Sequence, residues 1–355
     1  MKKILRIALL LAIAAMVVFA YLDYKRLLAI NTTMGQNQTR VLYIPTGATF
    51  QDVTDSLQSK GILKNMNTFK WVAKKKSYPS LVKPGRYELR GHLTNNELVN
   101  KLRSGDQDPM HLTLHNISGI YQLAGQLGRK LEPDSISFLD LFNSKDALSA
   151  FGVDPNTLTA YFLPNTYEVW WDTSPTAFLR RMRQEFDRFW TEERLAKAKK
   201  LKLSPIEVVT LASIVESETV RNDEKPTVAG LYLNRLERGM RLQSDPTVIY
   251  ALKRDDPKVK IPRVYYRHLS YESPFNTYQN AGLPPGPIKI PTHSSIEAVL
   301  NPASHNYVYM AADPDRPGYH SFASNLRQHN VNARKYREWA KPVWNITAWE
   351  SIACL

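Results

Sequence analysis

The run LASIVESETV, Leu211 to Val220, sets Glu216 and Glu218 two positions apart in an otherwise apolar stretch. An ionised carboxylate removed from water is costly unless paired, and a desolvated one tends to take up a proton. A carboxyl that keeps its proton near neutral pH is suited to general-acid work. The residues before the run make it helical: Ser204 can cap it and Pro205 fits the first turn. At about 100° per residue, Glu218 falls within about 40° of Leu211 and Ile214 and about 60° of Val215, on the densest apolar arc. Glu216 falls about 160° away, nearer Val209, Ala212 and Ser213. Helical phase therefore names Glu218 as the candidate acid. An ion pair between Glu218 and Arg221, Arg235 or another basic residue is the alternative, and periodicity alone leaves it standing.

Other chemistries find less support. The eight histidines are scattered. There is no HExxH and no CxxC, and His111 and His115 in HLTLH share a strand face with no carboxylate in reach, so no metal is expected. Neither GxSxG nor a usable cysteine occurs, Cys354 standing next to the chain end. No phosphate-cradling glycine loop is present and no lysine sits in a cofactor setting, so no cofactor is expected. Ser244-Asp245-Pro246 reads first as a helix N-cap for TVIYAL, with Asp245 a capping residue. GLPPGP, Gly282 to Pro287, reads as a stiff surface loop as readily as a functional one. FNTYQN and FLPNTYEVWW mix amides with aromatic rings, which suits carbohydrate and equally suits ordinary packing.

The elements that must carry these residues follow from pattern. The chain has 355 residues, 43% hydrophobic and 23% charged, enough for a folded protein of about two domains. At the N-terminus, Lys2, Lys3 and Arg6 precede an uncharged run from Ile7 to Leu22. With Ile4 and Leu5 that run reaches the roughly 18–20 residues that cross a bilayer. The small residues Ala12, Ala14 and Ala15 suit a cleaved signal peptide, but MVVFAYL carries the apolar run past such a site and favours an uncleaved anchor. The basic residues before the span slightly outweigh Lys25 and Arg26 after it, which places the N-terminus in the cytoplasm and the body outside. The net charge of +14 favours anionic partners. No zinc-finger spacing or RNP signature supports nucleic acid.

Residues 1–22 are thus a cytoplasmic start and transmembrane anchor, and 23–40 a polar tether. Residues 41–107 form a small α+β unit. VLYIPTGATF reads as a strand, Thr49 (or Gly47 and Thr46) starts a helix that Gly61 ends, and FKWVAKKK is a short helix. KPGRYELR reads as a strand, and LTNNELVNKLRSG as a helix between Thr94 or Asn95 and Gly105. Residues 108–345 form a larger mixed α+β domain, opening on the strand MHLTLHNI and including one long basic helix, PTAFLRRMRQEFDRFWTEERLAKAKKL. A tail follows at 346–355.

Five stretches together resemble one family, the endolytic murein transglycosylases or YceG-like proteins. They are YFLPNTY (161–167), LASIVESET (211–219), LYLNRLERGMRLQSDPTVIYAL (231–252), FNTYQNAGLPPGPI (275–288) and HSFASNLRQHN (320–330). The resemblance implies an α+β fold with a single transmembrane helix, a LysM-like subdomain at 41–107 associated with cell-wall glycan, and a catalytic domain at 108–345. It implies cleavage of the MurNAc-β-1,4-GlcNAc bond within peptidoglycan strands to give 1,6-anhydro ends, so terminating or trimming nascent strands. One glutamate serves as acid and base, because the attacking hydroxyl belongs to the sugar itself. By alignment to the family pattern that residue is Glu218, with Glu216 supporting, orienting a neighbour or buried against Arg241, and Glu224 also supporting. Gln243, Asp245, Thr247, Asn276, Tyr278, Asn165 and Tyr167 fall at motif positions implied to bind substrate. Asn165 departs from the aspartate expected there. Peptidoglycan strands and penicillin-binding synthases are the implied partners, at the bacterial cytoplasmic membrane. A lysozyme-type muramidase and an inactive wall-binding scaffold are the competing readings.

Overall fold

Thr49 and Thr94 start the helices of the N-terminal unit by the same device. Each hydroxyl accepts from the backbone N–H three residues on, and the carboxylate of that residue, Asp52 or Glu97, accepts from the threonine N–H. This reciprocal cap satisfies two of the donors that a helix start leaves open. Gly105 closes the second helix at a φ of 74°, a left-handed conformation that suits glycine. The computed structural model that contains these helices describes residues 2–115 and 117–344. The expected tail 346–355, with Cys354, lies outside the described residues.

The chain divides into two units, the first comprising Met1–Leu112, Lys130–Glu132 and Glu168–Ser174. Its elements are α1 (Lys2–Leu28), β1 (Thr39–Ile44), α2 (Phe50–Ser59), α3 (Met66–Lys75), β2 (Gly85–Arg90) and α4 (Asn95–Ser104). Strands β1 and β2 pair antiparallel from Thr39 opposite Arg90 to Ile44 opposite Gly85. Leu42, Leu57, Phe69, Tyr87 and Leu98 meet in the core between sheet and helices.

Helix α1 is, among the described residues, the one helix long and apolar enough to cross a membrane. Its 27 residues would reach about 40 Å, more than the roughly 30 Å hydrocarbon core. It continues beyond residue 22 to Leu28. The segment expected to be a tether is instead built into the unit. Met34 is buried in the core, and Asn31 donates to Asn65 O over 2.8 Å and to Asn95 Oδ1 over 2.7 Å. Composition missed this because buried asparagines, bonded to one another, look like linker residues in sequence.

The second unit comprises Thr113–Arg129, Pro133–Tyr167 and Pro175–Leu355. Strands β3 (Met110–Leu114) and β4 (Asn165–Val169) pair with each other. The unit's helices are α5 (Ile120–Gly128), α6 (Ser135–Asn143), α7 (Lys145–Ser149), α8 (Pro175–Phe189), α9 (Glu192–Lys200), α10 (Pro205–Glu218), α11 (Lys225–Glu237), α12 (Asp245–Asp255), α13 (Tyr266–Leu269), α14 (His293–Leu300) and α15 (Leu326–Trp344). A hairpin of β5 (Tyr309–Ala312) and β6 (His320–Ala323) lies before α15. The α+β class agrees with the sequence expectation. The single basic helix does not: it breaks into α8 and α9, because Thr191 caps a new start by accepting from Arg194 N.

Candidate active site

Helix α10 is the axis of the second unit. Ser204 and Glu207 form a reciprocal cap at its start, Pro205 occupies the first turn, and every residue from Val208 to Val215 is buried. It packs against α14, α11 and α12. The apolar arc inferred from helical phase is therefore not one face: the middle of the helix is enclosed all round. Its hydroxyls are absorbed locally or by neighbours. Thr210 donates to Ile206 O over 2.8 Å, and Ser213 Oγ accepts from Ile288 N over 3.0 Å.

That last bond pins the segment GLPPGPI, which is packed rather than a surface loop. A Cβ on Gly286 would stand 2.0 Å from Asn156 O, so only glycine allows this approach.

Glu216 and Glu218 emerge at the last turn of α10, where the helix leaves the core. Glu218 Oε1 accepts from the Tyr232 hydroxyl over 2.7 Å and from Ser244 Oγ over 2.5 Å. No partner for Oε2 occurs among the described residues. Its hydrogen-bond partners are thus hydroxyls, while Leu231, Leu242 and Met310 line the same cleft. The phase was sound, but the end of a helix faces what the neighbouring elements bring to it. Neither Arg221 nor Arg235 makes an ion pair with Glu218 among the described residues, so the alternative of simple charge pairing does not hold.

Glu218 lines a cleft of about 220 Å³ together with Tyr232, Arg235, Gln243, Asp245, Tyr278 and His320. Each wall has a local cause. Leu231, Tyr232 and Arg235 share one face of α11 by their spacing. Gln243 and Asp245 flank the start of α12, and Gln243 holds a φ of 54°, a left-handed backbone that costs roughly 1–3 kcal/mol and tends to be kept at functional sites. Ser244 occupies the N-cap position without a capping bond, its hydroxyl being committed to Glu218. The capping reading of Ser244-Asp245-Pro246 is corrected accordingly. His320 enters from β6, opposite Ala312 of β5.

Asp245 accepts from the Tyr278 hydroxyl over 2.6 Å. Burial pushes its carboxyl up to about 6, the Tyr278 bond opposes this, and the Glu218 charge adds to it. Arg235 is buried and bonded to main chain and cleft wall. It donates from Nε to Val308 O over 2.6 Å, and from Nη1 to Leu242 O over 2.8 Å and to Gln243 Oε1 over 3.2 Å. Burial draws its guanidinium below the ordinary range, though the tyrosines and Glu218 around it act in the other direction.

Glu216 points elsewhere. Its Oε2 accepts from Lys225 Nζ over 2.9 Å, Thr292 Oγ1 over 2.5 Å and Ser295 Oγ over 2.5 Å. Burial alone would raise this carboxyl, but those bonds outweigh it and hold it below the usual carboxylate range. Arg241, the expected neighbour, instead donates to Tyr278 O over 3.0 Å.

Glu224 is buried behind the cleft wall and accepts from His320 N over 2.7 Å, its Oε2 lying 2.9 Å from His320 Nδ1. Burial raises Glu224, and the two His320 bonds more than reverse this, so it stands as a carboxylate. A carboxylate only accepts, so Nδ1 carries the proton in that bond. Nε2 is then the ring nitrogen left for the cleft.

Of the residues expected to bind substrate, the cleft gathers Gln243, Asp245 and Tyr278. Thr247 and Asn276 are fully buried and do not line it. Thr247 Oγ1 donates to Ser244 O over 2.6 Å, and Asn276 Nδ2 donates to Leu269 O over 2.9 Å and Tyr271 O over 2.8 Å. They shape the turns that carry Ser244 and Tyr278. Asn165 and Tyr167 on β4 do not line the cleft either. Asn165 Oδ1 accepts from Thr166 N over 2.8 Å, and the buried Tyr167 donates to Leu163 O over 2.8 Å. Tyr232, Ser244, Arg235 and His320 were not singled out as site residues from sequence. The spacing of Tyr232 and Arg235 on α11 was the available signal. No group of residues fit to hold a metal ion occurs among the described residues.

Comparison with known proteins matches residues 42–335 to the YceG-like family. A Bacillus subtilis protein named endolytic murein transglycosylase is 28% identical over 82% of this chain and 83% of its own length. A Streptococcus pneumoniae protein of the same name is 26% identical over 82% of this chain. The match spans only 57% of the streptococcal protein. A crystal structure of a yceG-like protein from Listeria monocytogenes superposes with a TM-score of 0.55 at 28% identity, covering 82% of this chain and 98% of that one.

Proposed function

The chain belongs to the YceG-like family, and from that premise we propose that it is a peptidoglycan lytic transglycosylase whose acid and base is Glu218. The observation that carries the reading is the suspension of Glu218 in the cleft. Oε1 is held by Tyr232 and Ser244, Oε2 has no hydrogen-bond partner among the described residues, and Asp245 and His320 line the same cleft.

Two hydroxyl donors on one oxygen fix the carboxyl plane, so that Oε2 is the atom that gives and receives the proton. With a glycan strand in the cleft, Oε2–H protonates the oxygen joining C1 of MurNAc to GlcNAc, and the C1–O bond breaks. Positive charge developing at C1 is stabilised by Asp245, largely ionised near neutrality with a pKa of about 6. The C6 hydroxyl of the same MurNAc then attacks C1 and gives its proton to Glu218, which restores the acid. No water is consumed and the product end is 1,6-anhydro. Intramolecular attack needs no nucleophilic carboxylate, unlike most glycosidases.

His320, oriented by Glu224, offers Nε2 to a sugar hydroxyl or N-acetyl group, as does Gln243 with its amide. Thr247 and Asn276 act as positioning residues, and Glu216 maintains the end of α10. Asn165 and Tyr167, off the cleft lining, have no proposed contact with the bond that breaks.

Asp245 also favours a second reading, a lysozyme-type hydrolysis in which it serves as the second carboxylate and water attacks C1. The products separate the two. Full-length protein incubated with purified peptidoglycan should release anhydro-muramyl ends, read by mass spectrometry, and Glu218→Gln should release none. Reducing ends from the unaltered protein would overturn the transglycosylase reading, and no release at all would favour the inactive scaffold.

Helix α1 supports single-pass attachment to the cytoplasmic membrane, with the body outside by the charge around the span. The unit built on β1–α2–α3–β2 is proposed as the LysM-like, glycan-binding part. Termination or trimming of nascent strands beside penicillin-binding synthases fits a wall-cutting body tethered to that membrane.

A further inference from the structure

A second cavity, of about 530 Å³, opens on the same two helix ends that form the cleft. Ser217 and Val220 line it from the end of α10, Pro246 and Lys253 from α12, and Tyr121 from α5. Glu218 directly follows Ser217 in the chain and Asp245 directly precedes Pro246, and both line the cleft. A polymer whose breaking bond lies at Glu218 therefore needs to pass only the turn 217–220 to enter this space.

Its chemistry differs from that of the cleft. Ile120, Phe142, Ile249 and Ile288 give it apolar walls, and Lys253, Arg254 and Lys289 make its rim cationic. The one carboxylate lining it among the described residues, Glu216, is already bonded to Lys225, Thr292 and Ser295. Val220 is 84% exposed, a large apolar side chain left uncovered at the rim. Arg254 is held in place by Asn156 Oδ1 at 2.7 Å and by the Phe275 ring at 4.6 Å. Lys253 is exposed and makes no ion pair among the described residues.

An uncharged sugar backbone has no use for such cations over such walls. Within murein, carboxylates and methyl groups occur together on the short peptide carried by the lactyl group of muramic acid. We propose that this cavity binds the stem peptide of the strand, its carboxylates at Lys253 and Arg254 and its methyl groups against Ile249, Tyr121 and Val220. The inference rests on the reading of Glu218 as the point of cleavage. It makes the enzyme selective for strands that still carry peptides.

Two readouts on the full chain in detergent test it. The first is binding of free stem pentapeptide, followed by NMR or calorimetry, to the unaltered protein, Glu218→Gln and Lys253→Glu. The second is kcat/KM on peptide-bearing strands and on strands stripped of peptide by an amidase. The peptide should bind the unaltered protein and Glu218→Gln alike, and Lys253→Glu about tenfold more weakly. Lys253→Glu should lose about tenfold in kcat/KM on peptide-bearing strands, and nothing on stripped ones. Val220→Ser should lower peptide affinity in the same selective way. No peptide binding, binding indifferent to Lys253→Glu, or an equal loss on both kinds of strand would overturn the proposal. Peptide binding sensitive to Lys253, with neither strand cleaved by the unaltered protein, would leave the peptide site standing and remove the catalytic reading instead.

Discussion

Ser244 Oγ donates to Glu218 Oε1 over 2.5 Å, so the N-cap residue of α12 holds the last residue of α10. A cap hydroxyl ordinarily bonds its own helix, and that stabilisation is forgone here. Tyr232 of α11 donates to the same oxygen over 2.7 Å, so three helices converge on one carboxylate atom.

Removing these donors should cost turnover more than stability. Glu218→Gln should reduce release of muramyl fragments by roughly 10³-fold or more, as loss of a general acid does. Ser244→Ala and Tyr232→Phe should each cost about tenfold to 100-fold in kcat with little change in KM, because the carboxyl plane loosens without loss of the proton. Steady-state kinetics on soluble glycan strands would measure both.

Glu216 should behave in the opposite way. Lys225 Nζ lies 2.9 Å from Glu216 Oε2 with its side chain only 3% exposed, so Glu216→Gln leaves a buried ammonium without its counter-charge. The expected cost is about 3–5 kcal/mol, whereas Glu216→Gln with Lys225→Met should cost less than either single change. Denaturant unfolding of the four proteins would give this cycle. Since Glu216 sits below the usual carboxylate range, its contribution is present above the ordinary glutamate pKa and is lost as pH falls through the lowered folded value.

Asp245 gives a pH dependence of the other sign. Its carboxyl rises from 3.8 to about 6, so the native state binds the proton more tightly than the unfolded chain. Stability tied to this group is therefore full below about 4 and falls as pH rises toward 6. Asp245→Asn should raise the thermal midpoint at pH 7 to 8, by up to about 2 kcal/mol in stability, and leave it unchanged near pH 3.5. Scanning calorimetry at both ends of this range would check that the gain disappears in acid. The same variant should lose activity, so stability and turnover should separate.

The Glu224–His320 pair predicts a split between KM and kcat. Glu224→Gln can still accept from Nδ1 but gives up the charge-assisted bond that orients the ring, whereas His320→Ala removes the ring that lines the cleft. Both should raise KM for glycan strands, His320→Ala by about tenfold and Glu224→Gln by less. An unchanged KM in both would place His320 outside the binding surface.

In the N-terminal unit, Asn31→Ala should destabilise by about 1–3 kcal/mol, because Asn65 O and Asn95 lose a buried partner. A free tether would show no effect in the same unfolding measurement.

Much of this architecture was legible along the chain. The apolar helix near the N-terminus follows from composition, and the caps at Thr49, Thr94 and Ser204, the stop at Gly105 and the identity of α10 as a helix follow from rules acting over three or four residues. Family motifs added Glu218, Gln243, Asp245 and Tyr278 to one cleft. They also added Thr247, Asn276, Asn165 and Tyr167, whose side chains are used elsewhere. A motif records which positions matter together, and a buried asparagine that shapes a turn matters as much as one that touches a ligand.

What sequence alone determined was thus the apolar N-terminal helix, the capped helix starts and the short list of acids. Which acid lines the cleft with Asp245 and His320 was decided by tertiary structure. Lys225 reaches Glu216 across nine residues, Ser244 reaches Glu218 across 26, and Ser295 reaches Glu216 across 79. Local propensity has no range over such separations. Packing of α10 against α11, α12 and α14 is what supplies one glutamate with a buried cation and the other with two hydroxyls and a cleft.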